Sequence, residues 1–369
     1  MKLALIRRQF SSTGGAELYL ERLVQALAGQ GHEVHLFAES WSELPTGAAF
    51  HPIPVSGGRA ERPWQFAQGV QKALLSECFD CVFSLERTLR QDVYRAGDGV
   101  HQAWLARRRA FAPWWRRPWT GAGKFHAAML KLERRTFNPG NTRFIIVNSL
   151  MVKEEIGRDF SFPPERVRLV RNGVEISRFQ SPARASARQH FGYSETDCVL
   201  LFVGSGWERK GLGYLLEAFS RARRGPEGGN LRLLVAGKGK KPFLPPAGVQ
   251  FAGPLSRVEL AYAAADLFVF LPIYEPSANV CFEALAAGLP VITTRQNGAS
   301  ELIVEGVNGT VLDVPNDAEK TIEAISFWRR RAPGPVPVDL PSISLERNVA
   351  ETIAVLEMAA ASRAGGARA

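Results

Sequence analysis

Short apolar runs alternate with longer segments of helical periodicity along most of this 369-residue chain. KLALI (2–6), EVHLFA (33–38) and RFIIVN (143–148) are typical of strands buried on both faces. Between the first two lies AELYLERLVQALAGQ, whose leucines recur at helical spacing. This alternation predicts βα units and a parallel sheet.

The same alternation restarts near residue 175 and continues through a second series of apolar runs. These are CVLLFVG (198–204), LRLLVAG (231–237), VQFAG (249–253), DLFVFL (266–271) and PVITT (290–294). Two successive series predict an α/β protein with two doubly wound, Rossmann-like domains, over 1–174 and 175–342. The remaining residues, 343–369, predict a C-terminal helix that packs back on the N-terminal domain and ends in a frayed tail.

Composition is that of a folded globular protein, with 46% hydrophobic and 22% charged residues. The formal net charge of +10 is concentrated in residues 101–137, which hold nine Arg or Lys and one acid. This segment contains RRRAFAPWWRRPWTGAGK, in which three tryptophans lie among the cations. The residues predicted to contact a partner are Arg107, Arg108, Arg109, Trp114, Trp115, Arg116, Arg117, Trp119 and Lys124.

Three partners fit such a basic, Trp-rich segment. Nucleic acid could be gripped by Arg and aromatic stacking, and a subunit interface could be anchored by Trp and Arg. An anionic membrane surface suits Trp at headgroup depth and Arg against lipid charge. The following helix, KFHAAMLKLERR, has one apolar face that would suit either a bilayer or the protein's own core.

We favour the membrane surface and expect no nucleic-acid partner. The N-terminal apolar run is too short for a secretory signal, and no run reaches the roughly 18–20 residues of a transmembrane helix. The expected location is therefore cytoplasmic, with any membrane contact at the surface; peripheral attachment to the inner membrane in particular is what the family resemblance given below implies.

Three motifs carry candidate chemistry. SSTGGAELYL places Gly14 and Gly15 at a strand–helix turn, where backbone N–H groups and a helix dipole can receive an anion, although a Gly pair there is often only turn chemistry. FVGSGWERKGLG places Arg209 and Lys210 after a strand, where two cations could neutralise a diphosphate. A solvated basic turn is the alternative for that pair.

The most specific motif is YEPSANVCFEALAAGLPVITT. Glu275 comes shortly after a strand, and Glu283 lies eight residues later inside a helix, where it could accept hydrogen bonds from a ribose diol. Pro276 and Ser277 suit the helix start, and Asn279 is expected to supply part of its cap.

In this order and at these separations, GGAE, FVGSGWERKG and EPSANVCFEALAAGLPVITT resemble glycosyltransferase family 4, over nearly the whole chain. The resemblance implies a retaining transferase of the GT-B fold, with its two domains facing across a cleft and a nucleotide sugar as donor. It implies that Arg209 and Lys210 bind the diphosphate, that Glu283 holds the ribose and that Glu275 contacts the donor sugar. It further implies donor contacts from Gly14, Gly15 and the backbone of Ser277, Ala278 and Asn279.

DVYRAGDGVHQAWLARR and GSGWERKG are most similar to family members that add glucose to a heptose of the lipopolysaccharide inner core. The resemblance makes Asp98 the candidate for orienting or deprotonating the acceptor hydroxyl, with His101 a weaker one. UDP-glucose is the expected donor; GDP-mannose, UDP-GlcNAc or ADP-heptose, and another lipid or polysaccharide acceptor, are the alternatives.

Two features bear on the donor. Many relatives have EPFG where this chain has EPSA, so Ala278 replaces a glycine and leaves less room beside the sugar. The chain has no D-x-D triplet, which agrees with chemistry that uses no metal and no cofactor, the cations and a helix dipole replacing Mg²⁺.

Overall fold

The computed structural model describes residues 1–10, 15–41, 47–226, 228–331 and 334–366. The chain divides into two compact units. Unit 1 is Met1–Arg171 with Glu346–Ala369, and unit 2 is Asn172–Leu345. Each unit contains one large parallel sheet, which confirms the predicted α/β fold with two doubly wound domains.

Unit 1 alternates strands and helices along the chain. Its elements are β1 (Lys2–Ile6), β2 (Gln9–Phe10), α1 (Gly15–Gly29), β3 (Glu33–Ala38), β4 (Ser40–Trp41), β5 (Ala48–Pro52), α2 (Arg62–Ala73), β6 (Cys81–Ser84), β7 (Gln91–Arg95), α3 (His101–Phe111), α4 (Lys124–Thr136), β8 (Thr142–Val147), α5 (Leu150–Phe160) and β9 (Val167–Leu169). A 3₁₀ helix covers Trp114–Trp119, between α3 and α4.

The main sheet of unit 1 has the strand order β5-β3-β1-β6-β7-β8-β9, and every pairing in it is parallel. On one side of β1 the sheet continues with β3 and then β5. On the other side it continues with β6, β7, β8 and β9. The order therefore reverses between β1 and β6, and ligands of open α/β sheets bind outside the carboxyl ends of strands at such a point.

Unit 2 follows the same plan. Its elements are α6 (Ile176–Gln180), α7 (Arg184–Phe191), β10 (Cys198–Val203), α8 (Leu212–Arg224), β11 (Leu231–Ala236), β12 (Val249–Gly253), α9 (Val258–Ala264), β13 (Leu267–Phe270), α10 (Asn279–Ala286), β14 (Val291–Thr294), β15 (Gly309–Leu312) and α11 (Ala318–Arg329).

The sheet of unit 2 has the parallel order β12-β11-β10-β13-β14-β15, so its strand order reverses between β10 and β13. Its core is apolar on both faces of the sheet. Phe202 and Phe270 stack at 5.8 Å, and Phe219 of α8 is fully buried with them. Burial on both faces explains why these strands read as continuous apolar runs in the sequence.

The last helix, α12 (Leu345–Gly366), belongs to unit 1 for nearly all its length. Thr352 accepts a 3.2 Å hydrogen bond from the Tyr19 hydroxyl, and Arg363 forms a 2.9 Å ion pair with Asp92. Leu356 is fully buried. The helix therefore completes the packing of unit 1 although it follows unit 2 in the chain.

Candidate functional site

In unit 2, two predicted motifs meet where the strand order reverses. The loop that holds Arg209 and Lys210 follows β10, and the segment that holds Glu275 follows β13, the neighbour of β10 in the sheet. Nη1 of Arg209 donates to Oε2 of Glu275 at 2.6 Å and to the Tyr274 carbonyl at 3.3 Å. Residues from the two motifs thus form one charged cluster, 66 positions apart in sequence.

This pairing leaves part of the Arg209 guanidinium available. Both of its hydrogen bonds use Nη1, and within the described residues neither Nε nor Nη2 has an acceptor. The Nε and Nη2 edge of a guanidinium is a fork that matches two oxygens of a phosphate. Arg209 and the adjacent Lys210 are both half-buried, which strengthens their attraction to an anion.

Glycine geometry holds this loop against the sheet. Gly211 has φ +77°, and a Cβ there would lie 1.6 Å from the carbonyl oxygen of Leu271. The indole N–H of Trp207 donates to the Gly204 carbonyl at 2.8 Å, and Ile273 N–H donates to the Arg209 carbonyl at 3.1 Å. Close backbone approach therefore places Arg209 beside Glu275, with Lys210 next to it in the chain.

Helix α10 begins beside this cluster, and its start differs from the prediction. Asn279 is the first helical residue rather than the cap; the N-cap position is Ala278, which has no capping side chain. Asn297, fully buried after β14, instead accepts from Ala278 N–H at 3.1 Å and from Ala299 N–H at 3.2 Å. The expected cap by Asn279 was wrong because Oδ1 of Asn279 accepts from Asn172 Nδ2 at 2.7 Å.

Ser277 and Ala278 are buried at the start of α10. The Ser277 carbonyl accepts from Asn172 Nδ2 at 3.0 Å. The Ser277 hydroxyl oxygen is buried and has no hydrogen-bond partner among the described residues. A buried polar atom without a partner costs free energy, so this hydroxyl is ready for a ligand group at the helix start.

Glu283 lies inside α10 and is held by a residue that the sequence did not indicate. Oε2 of Glu283 accepts a 2.6 Å hydrogen bond from the hydroxyl of Tyr262, which is fully buried in α9. Burial raises the pKa of Glu283 above its ordinary value, while the Tyr262 hydrogen bond opposes that shift. The second carboxylate oxygen has no donor among the described residues.

In unit 1, Asp98 is exposed in the turn that follows β7. The turn is anchored by a buried ion pair, in which Arg87 Nη2 donates to Glu133 Oε1 at 3.2 Å and to the Gly99 carbonyl at 2.8 Å. Glu133 also accepts from the first two backbone N–H groups of α3, those of His101 and Gln102, at 2.6 and 3.0 Å. A rigid base therefore presents the Asp98 carboxylate to solvent.

Glu86 is a second carboxylate at this edge, and sequence reasoning missed it. It lies two residues after β6, as Glu275 lies in the segment after β13, and it forms a 3.3 Å ion pair with Arg7 after β1. Burial raises the pKa of Glu86, the Arg7 charge opposes that shift, and the charge of Asp98 adds to it. The sequence did contain a sign of this carboxylate, since Glu86 in DCVFSLER stands just after an apolar run typical of a strand.

His101 is a poor proton acceptor in this setting. Burial, the Arg87 charge and the nearby His126 lower the pKa of His101 to about 4. Its Nε2 lies 3.1 Å from Nδ1 of His126. The ring is therefore neutral near pH 7 and engaged with another histidine, which leaves Asp98 as the stronger candidate.

The structure describes only part of the glycine motif SSTGGAELYL. Gly15 is the first residue of α1, and Gly14 lies outside the described residues.

The basic, Trp-rich segment is exposed as a whole. The exposed fractions of Trp114, Trp115 and Trp119 are 76%, 58% and 77%, and Trp114 packs edge-on against Trp115. The cations Arg107, Arg108, Arg109, Arg116, Arg117 and Lys124 are all exposed, and none has a carboxylate partner within the described chain.

The helix that follows this segment, α4, covers the core of unit 1 with part of its apolar face. Leu132 is buried, while Phe125 and Met129 are half-buried. The sequence left two roles open for that face, contact with a bilayer and covering the protein's own core. Leu132 covers the core. Among the described residues, no helix has the length and apolar character needed to cross a membrane.

Two parallel α/β units, with charged clusters at the carboxyl ends of central strands, are the architecture of glycosyltransferases with the GT-B fold. Two family models match, one in each half: Glycosyltransferase Family 4 over residues 13–178 and Glycosyl transferases group 1 over residues 197–328. The chain therefore belongs to glycosyltransferase family 4 and is a glycosyltransferase.

The chain is similar to the lipopolysaccharide glucosyltransferase WaaG of Escherichia coli, with 27% identity over 341 residues that cover 88% of each chain. The crystal structure of WaaG, a glycosyltransferase involved in lipopolysaccharide biosynthesis, has the same fold, with a TM-score of 0.77, 24% identity and 97% and 98% coverage. A D-inositol 3-phosphate glycosyltransferase of Segniliparus rotundus is 23% identical over 335 residues, covering 81% of this chain and 73% of its own.

Proposed function

We propose that this glycosyltransferase moves glucose from UDP-glucose to a heptose of the lipopolysaccharide inner core, with retention of configuration. The reaction takes place at the cytoplasmic face of the inner membrane. The similarity to WaaG supports the choice of sugar and acceptor, and the pairing of Arg209 with Glu275 carries the assignment of the donor site.

On the donor side, the free edge of Arg209 and the ammonium of Lys210 hold the diphosphate. When the bond from the anomeric carbon to the phosphate oxygen breaks, the electron pair stays on that oxygen, and the two cations stabilise the new charge. Glu275 fixes Arg209 and contacts the sugar. The start of α10, with Ser277, Ala278 and Asn279, adds its dipole, and no metal ion is required.

Glu283 holds the ribose. One of its carboxylate oxygens is occupied by Tyr262, so the other accepts from a ribose hydroxyl. A carboxylate that is fixed before the ligand arrives loses little conformational entropy on binding.

On the acceptor side, Asp98 orients the heptose hydroxyl and takes its proton as the oxygen forms its bond to the anomeric carbon. Arg7 and Glu86 lie at the same edge of the sheet of unit 1, and their charges suit a polar, phosphorylated sugar acceptor.

The basic, Trp-rich segment brings the enzyme to its lipid-linked acceptor. Each basic residue near an anionic leaflet contributes about 1 kcal/mol, which is enough for reversible attachment without an anchor. Exposed indoles beside those cations match the interfacial position that Trp prefers.

Donor choice is tested by thermal melting of the full chain with UDP-glucose, GDP-mannose, UDP-GlcNAc and ADP-heptose. A ligand that binds only the folded state raises the melting temperature. UDP-glucose should give the largest shift, and Arg209→Ala should abolish it. Arg295→Ala, an exposed arginine paired with Asp313, is the control that keeps the shift. A larger shift with another donor would replace the assignment.

A different donor or acceptor is the second candidate. Ala278 stands where many relatives have glycine, and its methyl group is buried beside the proposed sugar position. Similarity to an inositol phosphate glycosyltransferase shows that related chains serve other acceptors. Ala278→Gly should change the preference among donors if this contact selects the sugar.

A further inference from the structure

Two histidines and a glutamate of unit 1 meet near the β5 edge of its sheet, whereas Asp98 follows β7, on the other side of the point where the strand order reverses. His35 lies in β3 and His51 in β5, the edge strand that pairs only with β3 in this sheet, while Glu77 precedes β6. Their neighbour Lys2 opens β1. Glu77 and Lys2 lie before or at the amino ends of their strands, His35 lies in the middle of β3 and His51 near the carboxyl end of β5, whereas Asp98 and Glu86 follow carboxyl ends.

The three side chains have the spacing of metal ligands. Nδ1 of His35 is 2.8 Å from Nε2 of His51 and 3.9 Å from Oε2 of Glu77, and one ligand atom of each residue lies within 4.8 Å of the others. Ligand atoms of a tetrahedral zinc ion, bound at about 2.0–2.2 Å, are roughly 3.3 Å apart. The observed distances bracket that value.

A further carboxylate orients His35 as it would a metal ligand. Nε2 of His35 donates to Oε1 of Glu33 at 2.7 Å, which leaves Nδ1 as the nitrogen with the free lone pair. Carboxylates behind histidine ligands of zinc act in this way. His35 is 6% exposed, and Phe79 packs edge-on against its ring at 5.2 Å, so the imidazole is fixed before any ion binds.

His51 can exchange its present partner for a metal. Because Nδ1 of His35 is the acceptor, Nε2 of His51 must carry the proton of their shared hydrogen bond. If that proton moves to Nδ1 of His51, both facing nitrogens present lone pairs and no net proton is released. The His51 ring stacks on Phe37 at 4.4 Å and keeps its position.

Lys2 competes with a metal ion for Glu77, the third ligand. Its Nζ lies 2.8 Å from Oε2 of Glu77 and 3.4 Å from Oε1 of Glu33. Glu77 can therefore be paired with Lys2 or bind a cation, and removal of the ammonium should favour the cation.

We propose that His35, His51 and Glu77 bind a divalent transition metal ion, best matched by Zn²⁺, with water as the fourth ligand. Two imidazoles and one carboxylate are a ligand set that zinc accepts. The ion would link the edge strand β5 to β3 and to the segment before β6, and so stabilise unit 1. This proposal stands independently of the transferase reaction.

The test is a Zn²⁺ titration of the full chain, stripped with EDTA, against a chromogenic chelator, with melting temperature as a second readout. We expect one bound Zn²⁺ per chain and a higher melting temperature. His51→Ala and Glu77→Gln should lose the ion, and Glu33→Gln should weaken it about 10–100-fold. His190→Ala, an exposed histidine of unit 2, should bind zinc as the wild type does.

Lys2→Met keeps the proposal testable even if the loss variants fold poorly, because it leaves the three ligands in place and its own folding is checked by the same melting curve. It should bind Zn²⁺ more tightly than the wild type. The proposal is overturned if the wild type binds no zinc, if folded His51→Ala binds it equally well, or if Lys2→Met gains nothing.

Discussion

The hydroxyl of Tyr262 donates a 2.6 Å hydrogen bond to Oε2 of Glu283. Burial and the neighbouring carboxylate raise the pKa of Tyr262, so this hydroxyl keeps its proton and always acts as the donor. One oxygen of Glu283 is thereby committed, and the other is left for a ligand. The pair explains how a glutamate about one turn inside α10 can be a fixed acceptor.

Tyr262→Phe should weaken binding of UDP about tenfold, because loss of a hydrogen bond to a charged group costs about 1.5 kcal/mol. The phenyl ring keeps the packing against Phe268. Calorimetric titration with UDP measures the effect. Unchanged affinity would show that the orientation of Glu283 does not matter for the nucleotide.

Acid should weaken UDP binding through Glu283. Protonation removes a hydrogen-bond acceptor, and because burial raises the pKa of Glu283, the loss should begin at a higher pH than for an ordinary glutamate. The folded state holds this proton more tightly than the unfolded chain, so protonation of Glu283 alone does not unfold the protein. Glu283→Gln should bind UDP more weakly, and its UDP affinity should no longer fall in acid. An equally large fall in acid in this variant would contradict the role of Glu283 in ribose binding.

Asp98→Asn should lower kcat by about 10²–10⁴-fold, the usual contribution of a general base. His101→Phe should leave the pH dependence between pH 6 and 8 unchanged, because the pKa of His101 is about 4. Initial rates over that pH range distinguish the two residues. If the rate of His101→Phe no longer depended on pH in this range, His101 and not Asp98 would be the general base.

Arg116→Ala with Arg117→Ala should reduce binding to vesicles of phosphatidylglycerol and phosphatidylcholine about 30-fold, from about 1 kcal/mol per cation. Replacement of Trp114, Trp115 and Trp119 by Ala should also reduce it. Phe327→Ala, an exposed aromatic of unit 2 outside this segment, is the control. Flotation at low and high salt measures binding, and DNA should not bind; full vesicle binding by both sets of variants would exclude this surface.

Gly211→Ala should destabilise unit 2 by more than about 1 kcal/mol, since its φ is +77° and a Cβ would clash with the Leu271 carbonyl. Gly213→Ala, two residues later, is the matched control because nothing lies within 4 Å of its Cβ position. Thermal melting compares the two. Equal stability of both variants would show that the loop can move away from the strand.

The sequence predicted the strands that stand out as apolar runs and missed some that do not. QDVYR forms β7 in the middle of the first sheet, yet no apolar run marks it. Asp92 accepts from Val82 N–H at 2.9 Å and pairs with Arg363, while Arg95 donates to Tyr19 at 3.3 Å. Their partners are distant in sequence, so periodicity alone gives no sign that these polar residues are buried.

The polar segment after residue 180 shows the same limit. No apolar run marks it in the sequence, but it contains α7, whose Arg188 is fully buried. Arg188 pairs with Asp266 at 2.6 Å and donates to the Ser194 and Asp197 carbonyls. A charged residue can be buried when its partners come from other elements, and those partners are known only from the fold.

Candidate site residues were foreseen where a motif gives the chemistry locally. Arg209, Glu275 and Glu283 belong to such motifs, and their positions after strands or inside a helix follow from the pattern. Tyr262 and Asn297 do not, because each acts on a residue of another element that is distant in sequence.

The most direct measurement is transfer of labelled glucose from UDP-glucose to a lipid-embedded inner-core acceptor that ends in heptose. Wild type should form one α-linked product, and Arg209→Ala should lower the rate about 10²–10³-fold, as for loss of a group that stabilises developing charge. Arg295→Ala should transfer at the wild-type rate. Wild-type failure with UDP-glucose, or equal transfer by Arg209→Ala, would contradict the account.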